Sequence, residues 1–201
     1  YITASTRNGI KGSTDTYTLF IERGCSLLSK GGCLAFIVPV SFTSSDSLAG
    51  VHSLLMSQCA TLRVSSYAVR PEPVFKNAVV DTSIVIAHKT MTKCRAVYST
   101  KMHRKKGEEF SLQTLIDNLQ YVEVKAYMKR GRIPKIGTEI EKRILDKLSV
   151  FPEISLYKKE SGSPIVYRFA GGRYFKVITP YSNNSSAERT IYFDTDMDAA
   201  I

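Results

Sequence analysis

Two stretches of this chain mix cations with aromatic rings and glycine, the residue types that meet a polyanion. The first is Lys125-Ala126-Tyr127-Met128-Lys129-Arg130-Gly131-Arg132, and the second is Tyr167-Arg168-Phe169-Ala170-Gly171-Gly172-Arg173-Tyr174-Phe175-Lys176. A third run, Lys101-Met102-His103-Arg104-Lys105-Lys106, is basic throughout, and the 201 residues carry a formal charge of +10. Each phosphate neutralised by a lysine or arginine releases counterions, so nucleic acid explains such a surplus. A solvated basic surface that keeps the protein in solution is the competing explanation.

Other chemistry is poorly represented. Cys25, Cys33, Cys59 and Cys94 lack the paired short spacing of a zinc site. Cys25 and Cys33 fall in apolar patterns and are expected to be buried thiols in a reducing compartment. His52, His88 and His103 are scattered and form no ligand or triad pattern. If Asp15 and Glu22 share a helix they stand two turns apart, about 10 Å, too far to act as an acid–base pair. Asp15 is read as a helix cap and Glu22 as a solvated or salt-bridged group.

Elements that position these residues follow from periodicity. Tyr17, Phe20, Ile21, Gly24, Cys25 and Leu28 recur at helical spacing and form one buried face, stopped by Gly31-Gly32. Cys33–Val38 is apolar on both faces, as a strand in the middle of a parallel sheet would be. Ser44, Ser45 and Asp46 introduce a second helix with Leu48, Val51, Leu54, Leu55 and Cys59 inward. Strands are expected at residues 61–69 and 82–88, joined by a loop with Pro71, Pro73 and an apolar tip, with another strand at 94–100. Helices are expected at 110–119 and 138–148, the second with Ile140, Ile144, Leu145 and Leu148 on one side. Short strands and a hairpin at Gly171-Gly172 follow. On that hairpin Arg168, Arg173 and Lys176 can meet phosphates and Tyr174 can pack or stack. An ordinary basic hairpin is the alternative. The expected fold class is α/β, a partial sheet ending in an antiparallel hairpin and followed by a smaller mixed α+β module. The boundary is placed at residue 100, giving segments 1–100 and 101–201.

The order of elements resembles the carboxyl-terminal half of an N6-adenine-specific DNA methyltransferase of a restriction–modification system. Asp15, Tyr17, Phe20, Glu22, Leu27, Leu28, Gly31, Gly32, Pro39, Ser41 and Phe42 fit that family's helix–Gly-Gly–strand pattern. Val74, Phe75, Ala78, Val80 and Thr82 fit its later Val-Phe-x-x-Ala-x-Val-x-Thr element. The segment from Tyr167 to Val177 is similar to the element where these enzymes enter their target-recognition region. The resemblance implies a methyltransferase-like sheet in 1–100, and linker helices with the start of a target-recognition module in 101–201.

The resemblance further implies that Phe75 stacks on an adenine turned out of the duplex, since N6 is inaccessible while the base is paired. A core-plugging Phe75 is the alternative. The family's cofactor loop and its Asn/Asp-Pro-Pro-Tyr/Phe motif belong ahead of Asp15, and the chain has no Pro-Pro pair. Tyr1 is a candidate for that motif's last residue. S-adenosylmethionine is therefore the expected cofactor of the parent enzyme, with none expected on this segment, which should be inactive alone. Lys129, Arg130, Arg132, Arg168, Arg173, Tyr174 and Lys176 are the expected contacts to double-stranded DNA. Self-association through an exposed sheet edge is also expected. A non-catalytic DNA-binding or specificity subunit is the alternative, as is a structural subunit that pairs with a chain holding the cofactor. No apolar run is long enough for a membrane span, and the expected location is cytoplasmic.

Overall fold

The computed structural model describes residues 1–5, 11–90, 92, 94–105, 111–129, 131–169, 178–182 and 186–194. They form two compact units, Tyr1–Asp146 and Lys147–Ile201. Residue 100 falls inside a strand, and residues as far as Ile136 pack into the same core, so the first unit runs on to Asp146. Among the described residues no helix is long and apolar enough to cross a membrane.

In the first unit the order is α1 (Thr16–Leu27), β1 (Cys33–Pro39), α2 (Ala49–Gln58), β2 (Cys59–Tyr67), β3 (Thr82–Lys89) and β4 (Ala96–His103). There follow α3 (Leu112–Asp117), β5 (Val122–Glu123) and α4 (Glu139–Leu148). The sheet runs β1-β3-β2-β4-β5. β3 lies antiparallel to both β1 and β2, while β2 and β4 are parallel. The carboxyl ends of β1, β2 and β4 therefore lie along one edge.

β1 lies at the sheet's edge, where an exposed edge is expected, but its neighbour is antiparallel and not the parallel one its composition predicts. Its partner among the described residues is β3 alone. Leu34, Phe36 and Val38 face α1, where Gly24 allows close approach: a Cβ there would stand 2.8 Å from Leu34 Cδ1. Cys33, Ala35 and Ile37 point the other way and are exposed, Ile37 at 58%. Cys33 is thus not a buried thiol, although Cys25, Cys59 and Cys94 are. The Val40 N–H donates to Asp81 O in this register. By alternation the N–H and C=O groups of Cys33, Ala35 and Ile37 point away from β3.

α1 buries Thr18, Ile21 and Cys25, whereas Phe20, expected on the buried face, is 66% exposed. The helix ends at Leu27, before the glycine pair, where Leu28 turns extended and the Lys89 ammonium donates to the free carbonyls of Cys25 and Leu28. Asp15 stands at the N-cap, but its side chain makes no capping bond and accepts instead from the Ser13 hydroxyl. Two 3-10 turns, Val40–Thr43 and Asp46–Leu48, precede α2. Val51, Leu54, Leu55 and Cys59 are buried as their spacing predicts, and join Ile21, Phe42, Leu62, Val64, Val85 and Val97 in the core. α4 has its predicted amphipathic spacing. Leu145 packs on the core, but Ile140, Ile144 and Leu148 are exposed.

The second unit holds an antiparallel sheet, β7 (Ile178–Thr179), β6 (Ser163–Arg168) and β8 (Glu188–Phe193), in the order β7-β6-β8. Val166 and Phe193 are buried within it. Lys159 closes one end with a 2.9 Å salt bridge to Asp194, and the Arg189 guanidinium lies 4.2 Å from the Phe169 ring centroid.

Candidate nucleic-acid interface

The loop between β2 and β3 lies at the sheet edge where the parallel strands end, and its base is closed by one residue. Asp81 Oδ1 accepts from the Val69 N–H at 2.7 Å, while its backbone carbonyl accepts from Val40. The half-buried Lys135 faces Asp81; desolvation lowers its pKa and the Asp81 charge works against that shift. Farther out, Lys105 bridges Glu72 at 2.7 Å and Arg104 Nη1 donates to Arg70 O. Two cations of the basic run at 101–106 therefore brace this loop.

Phe75 sits midway along the loop, half-buried and T-shaped against Tyr67, with centroids 5.4 Å apart at 79°. Tyr67 is buried and donates to Ser65 Oγ, and burial raises its pKa. A tight turn follows, in which the Ala78 N–H donates to Phe75 O and Asn77 takes φ 65°, a left-handed conformation asparagine tolerates. Beyond it Val79 and Val80 are 86% and 51% exposed.

Gly131 and Arg132 are anchored beside α2. Arg132 grips the Asp46 carboxylate with Nε at 2.8 Å and Nη2 at 3.2 Å. A backbone bridge joins Lys129 to Arg132. Gly131, at φ 73°, lies so close that a Cβ would stand 2.7 Å from Ala49 Cα. The buried His52 secures the same region: its Nε2 hydrogen-bonds Phe42 O at 2.7 Å. Burial depresses the His52 pKa to about 4, outweighing its backbone partners Phe42 and Gly131. Lys129 and Arg132 are both exposed, and Arg132 is held by the Asp46 carboxylate. Arg168 is exposed at the end of β6, opposite Glu188. Arg130, Arg173, Tyr174 and Lys176 lie outside the described residues.

Glu22 is neither simply solvated nor salt-bridged to a side chain, as its isolated position suggested. Its carboxylate accepts from the Ile2 and Thr3 N–H groups at 2.8 and 2.9 Å and from the Thr3 hydroxyl at 2.7 Å. Thr3 is buried, and Gly50 lies close to its backbone. Tyr1 is exposed at the head of this tethered segment. Neither Glu22 nor Asp81 carries a periodicity signal, because each acts on backbone groups distant in sequence.

An Eco57I restriction-modification methylase family profile matches residues 1–75, fewer than half of the chain. No curated protein matches it. Three solved structures share limited likeness. The ATP-dependent Type ISP restriction-modification enzyme LlaBIII bound to DNA has a TM-score of 0.39 at 14% identity, over 52% of this chain and 8% of its own. A nuclease-deletion mutant of the Type ISP enzyme LlaGI in complex with a DNA substrate mimic gives 0.47 at 17% identity, over 62% and 12%. A cryoEM DrdV–DNA complex gives 0.48 at 14% identity, over 65% and 14%. This chain therefore spans a small fraction of each of those proteins.

Proposed function

We propose that this chain is a segment of a site-specific DNA adenine-N6 methyltransferase of a restriction–modification system, supplying target-base stacking and duplex binding. The observation that carries this reading is the match of residues 1–75 to a restriction–modification methylase family. The motif residues from Asp15 to Phe42 lie within that match, and the Val74–Thr82 element begins at its end and runs beyond it. They fall on α1, β1 and the β2–β3 loop in one continuous unit. Segment 1–100 is assigned to the methyltransferase part and segment 101–201 to linker helices and the start of target recognition.

In this reading the half-buried Phe75 offers its free surface to an extrahelical adenine, while Tyr67 holds the ring from behind. Lys129, Arg130, Arg132, Arg168, Arg173, Tyr174 and Lys176 contact the duplex, chiefly its backbone. The methyl donor is S-adenosylmethionine. β1 runs into the 3-10 turn Val40–Thr43, which has no glycine, and the Thr3 backbone packs close against Gly50. Neither provides a glycine-rich turn, so no donor-binding or catalytic role is assigned to these described residues. The segment alone is then inactive, and its open β1 edge makes self-association the expected side reaction.

Binding of this 201-residue chain to duplex DNA across a salt series tests the reading. Affinity should fall linearly with the logarithm of salt concentration, and added S-adenosylmethionine should give no saturable thermal shift. Salt-independent binding, or none, contradicts the DNA role. A saturable shift contradicts the assignment of the donor site elsewhere.

A further inference from the structure

The sequence motif singles out Phe75, yet the side chains that stand clear of the β2–β3 loop are Val79 and Val80, at 86% and 51% exposure. We infer that these two valines form an apolar wedge that enters the duplex beside the displaced base. The inference rests on the DNA reading above and adds a second contact to it.

Three features of the loop carry it. First, exposed β-branched side chains gain nothing in water, and here they stand on a loop fixed at several points. Asp81 closes the base through Val69, Lys105 and Arg104 brace Glu72 and Arg70 O, and the Phe75–Ala78 turn sets the approach. A wedge needs such rigidity, because unstacking a base step costs free energy that a mobile tip would not recover.

Second, the charge on the loop suits DNA. Both acidic groups of the loop are engaged, Glu72 by Lys105 and Asp81 by the Val69 N–H. Arg70, Lys76 and Arg104 are exposed cations that can meet phosphates on either side of an opened step. An exposed apolar pair on a loop that also carries exposed cations suits insertion between base steps.

Third, Val79 and Val80 follow Phe75 by only four and five residues on the same loop. One short segment thus offers a flat ring for the extruded base and a compact apolar group for the gap it leaves. Valine loses little side-chain freedom on insertion, since its χ1 is already restricted.

The test uses the chain itself with two duplexes of one sequence, one fully paired and one with a single abasic site. An abasic step has already lost part of its stacking, so the wedge should bind it about tenfold more tightly. Val79→Ser/Val80→Ser should reduce that preference to twofold or less, leaving the paired duplex and the melting temperature little changed. Lys76→Ala should weaken both duplexes alike. Binding without preference for the abasic duplex overturns the inference, as does a preference that survives the double substitution or Val79→Ser alone. Failure to bind either duplex instead overturns the DNA reading on which it rests.

Discussion

The Glu22 carboxylate holds Thr3 through both its N–H and its hydroxyl, and takes the neighbouring Ile2 N–H as well. Two helical turns along α1 from Asp15, Glu22 thus anchors the start of the chain instead of sharing in acid–base chemistry. Partial burial pushes its pKa up, but the Thr3 and Ile2 hydrogen bonds outweigh this and hold it below the ordinary carboxylate value.

Glu22→Gln should therefore destabilise the first unit by about 1 kcal/mol, since an amide accepts fewer of these bonds and the site is partly solvated. Thr3→Val should cost less and add little on top of Glu22→Gln, because the two share one interaction. Because the folded pKa is lowered, the Glu22 contribution is present above the unfolded value and is lost as pH falls through the folded one. Urea unfolding of the single and double variants checks this, and fully additive losses would contradict it.

His52 gives a second pH signature with its own window. It stays neutral in the fold down to about pH 4 and protonates near 6.5 when unfolded, so the unfolded chain binds more protons between those values. Stability should fall as pH is lowered from 6.5 towards 4, by up to about 3 kcal/mol. His52→Gln should flatten that slope while lowering stability at neutral pH. An unchanged slope in the variant would contradict the assignment.

Arg132 is expected at the duplex, yet it is held by Asp46. Freeing it should help binding. Asp46→Asn is predicted to tighten duplex binding about two- to fivefold at low salt, the scale of an exposed ion pair, and Arg132→Ala to weaken it and reduce the salt slope. If both variants bind like the parent chain, Arg132 has only the structural role.

The outward groups of Cys33, Ala35 and Ile37 leave β1 without a protective charge. The isolated chain should show concentration-dependent association by sedimentation, and Ile37→Lys should suppress it without lowering the melting temperature. Association untouched by Ile37→Lys would place the contact elsewhere.

Periodicity located α1, α2, β2, β3, β4 and α4 because each buries or presents a regular apolar pattern. For β1 the exposed edge was expected, but not the antiparallel partner or the open face, since an apolar run reads the same whether both faces are covered or one lies open. Phe20 went the same way: its spacing is helical, but nothing among the described residues covers it. The anchoring roles of Glu22, Lys89, Asp81 and His52 were illegible, because each holds backbone groups 10 to 64 residues away. Phe75 was legible from its motif, whereas its edge-on packing against Tyr67 and the exposure of Val79 depend on tertiary placement.

The most direct test of the account is methyl transfer by a restriction–modification methylase carrying this 201-residue sequence, using labelled S-adenosylmethionine and duplex DNA. The account predicts label on adenine N6, falling at least about tenfold in Phe75→Ala as the stacking surface is lost. Label on cytosine, no transfer at all, or a Phe75→Ala enzyme as active as the parent would contradict it.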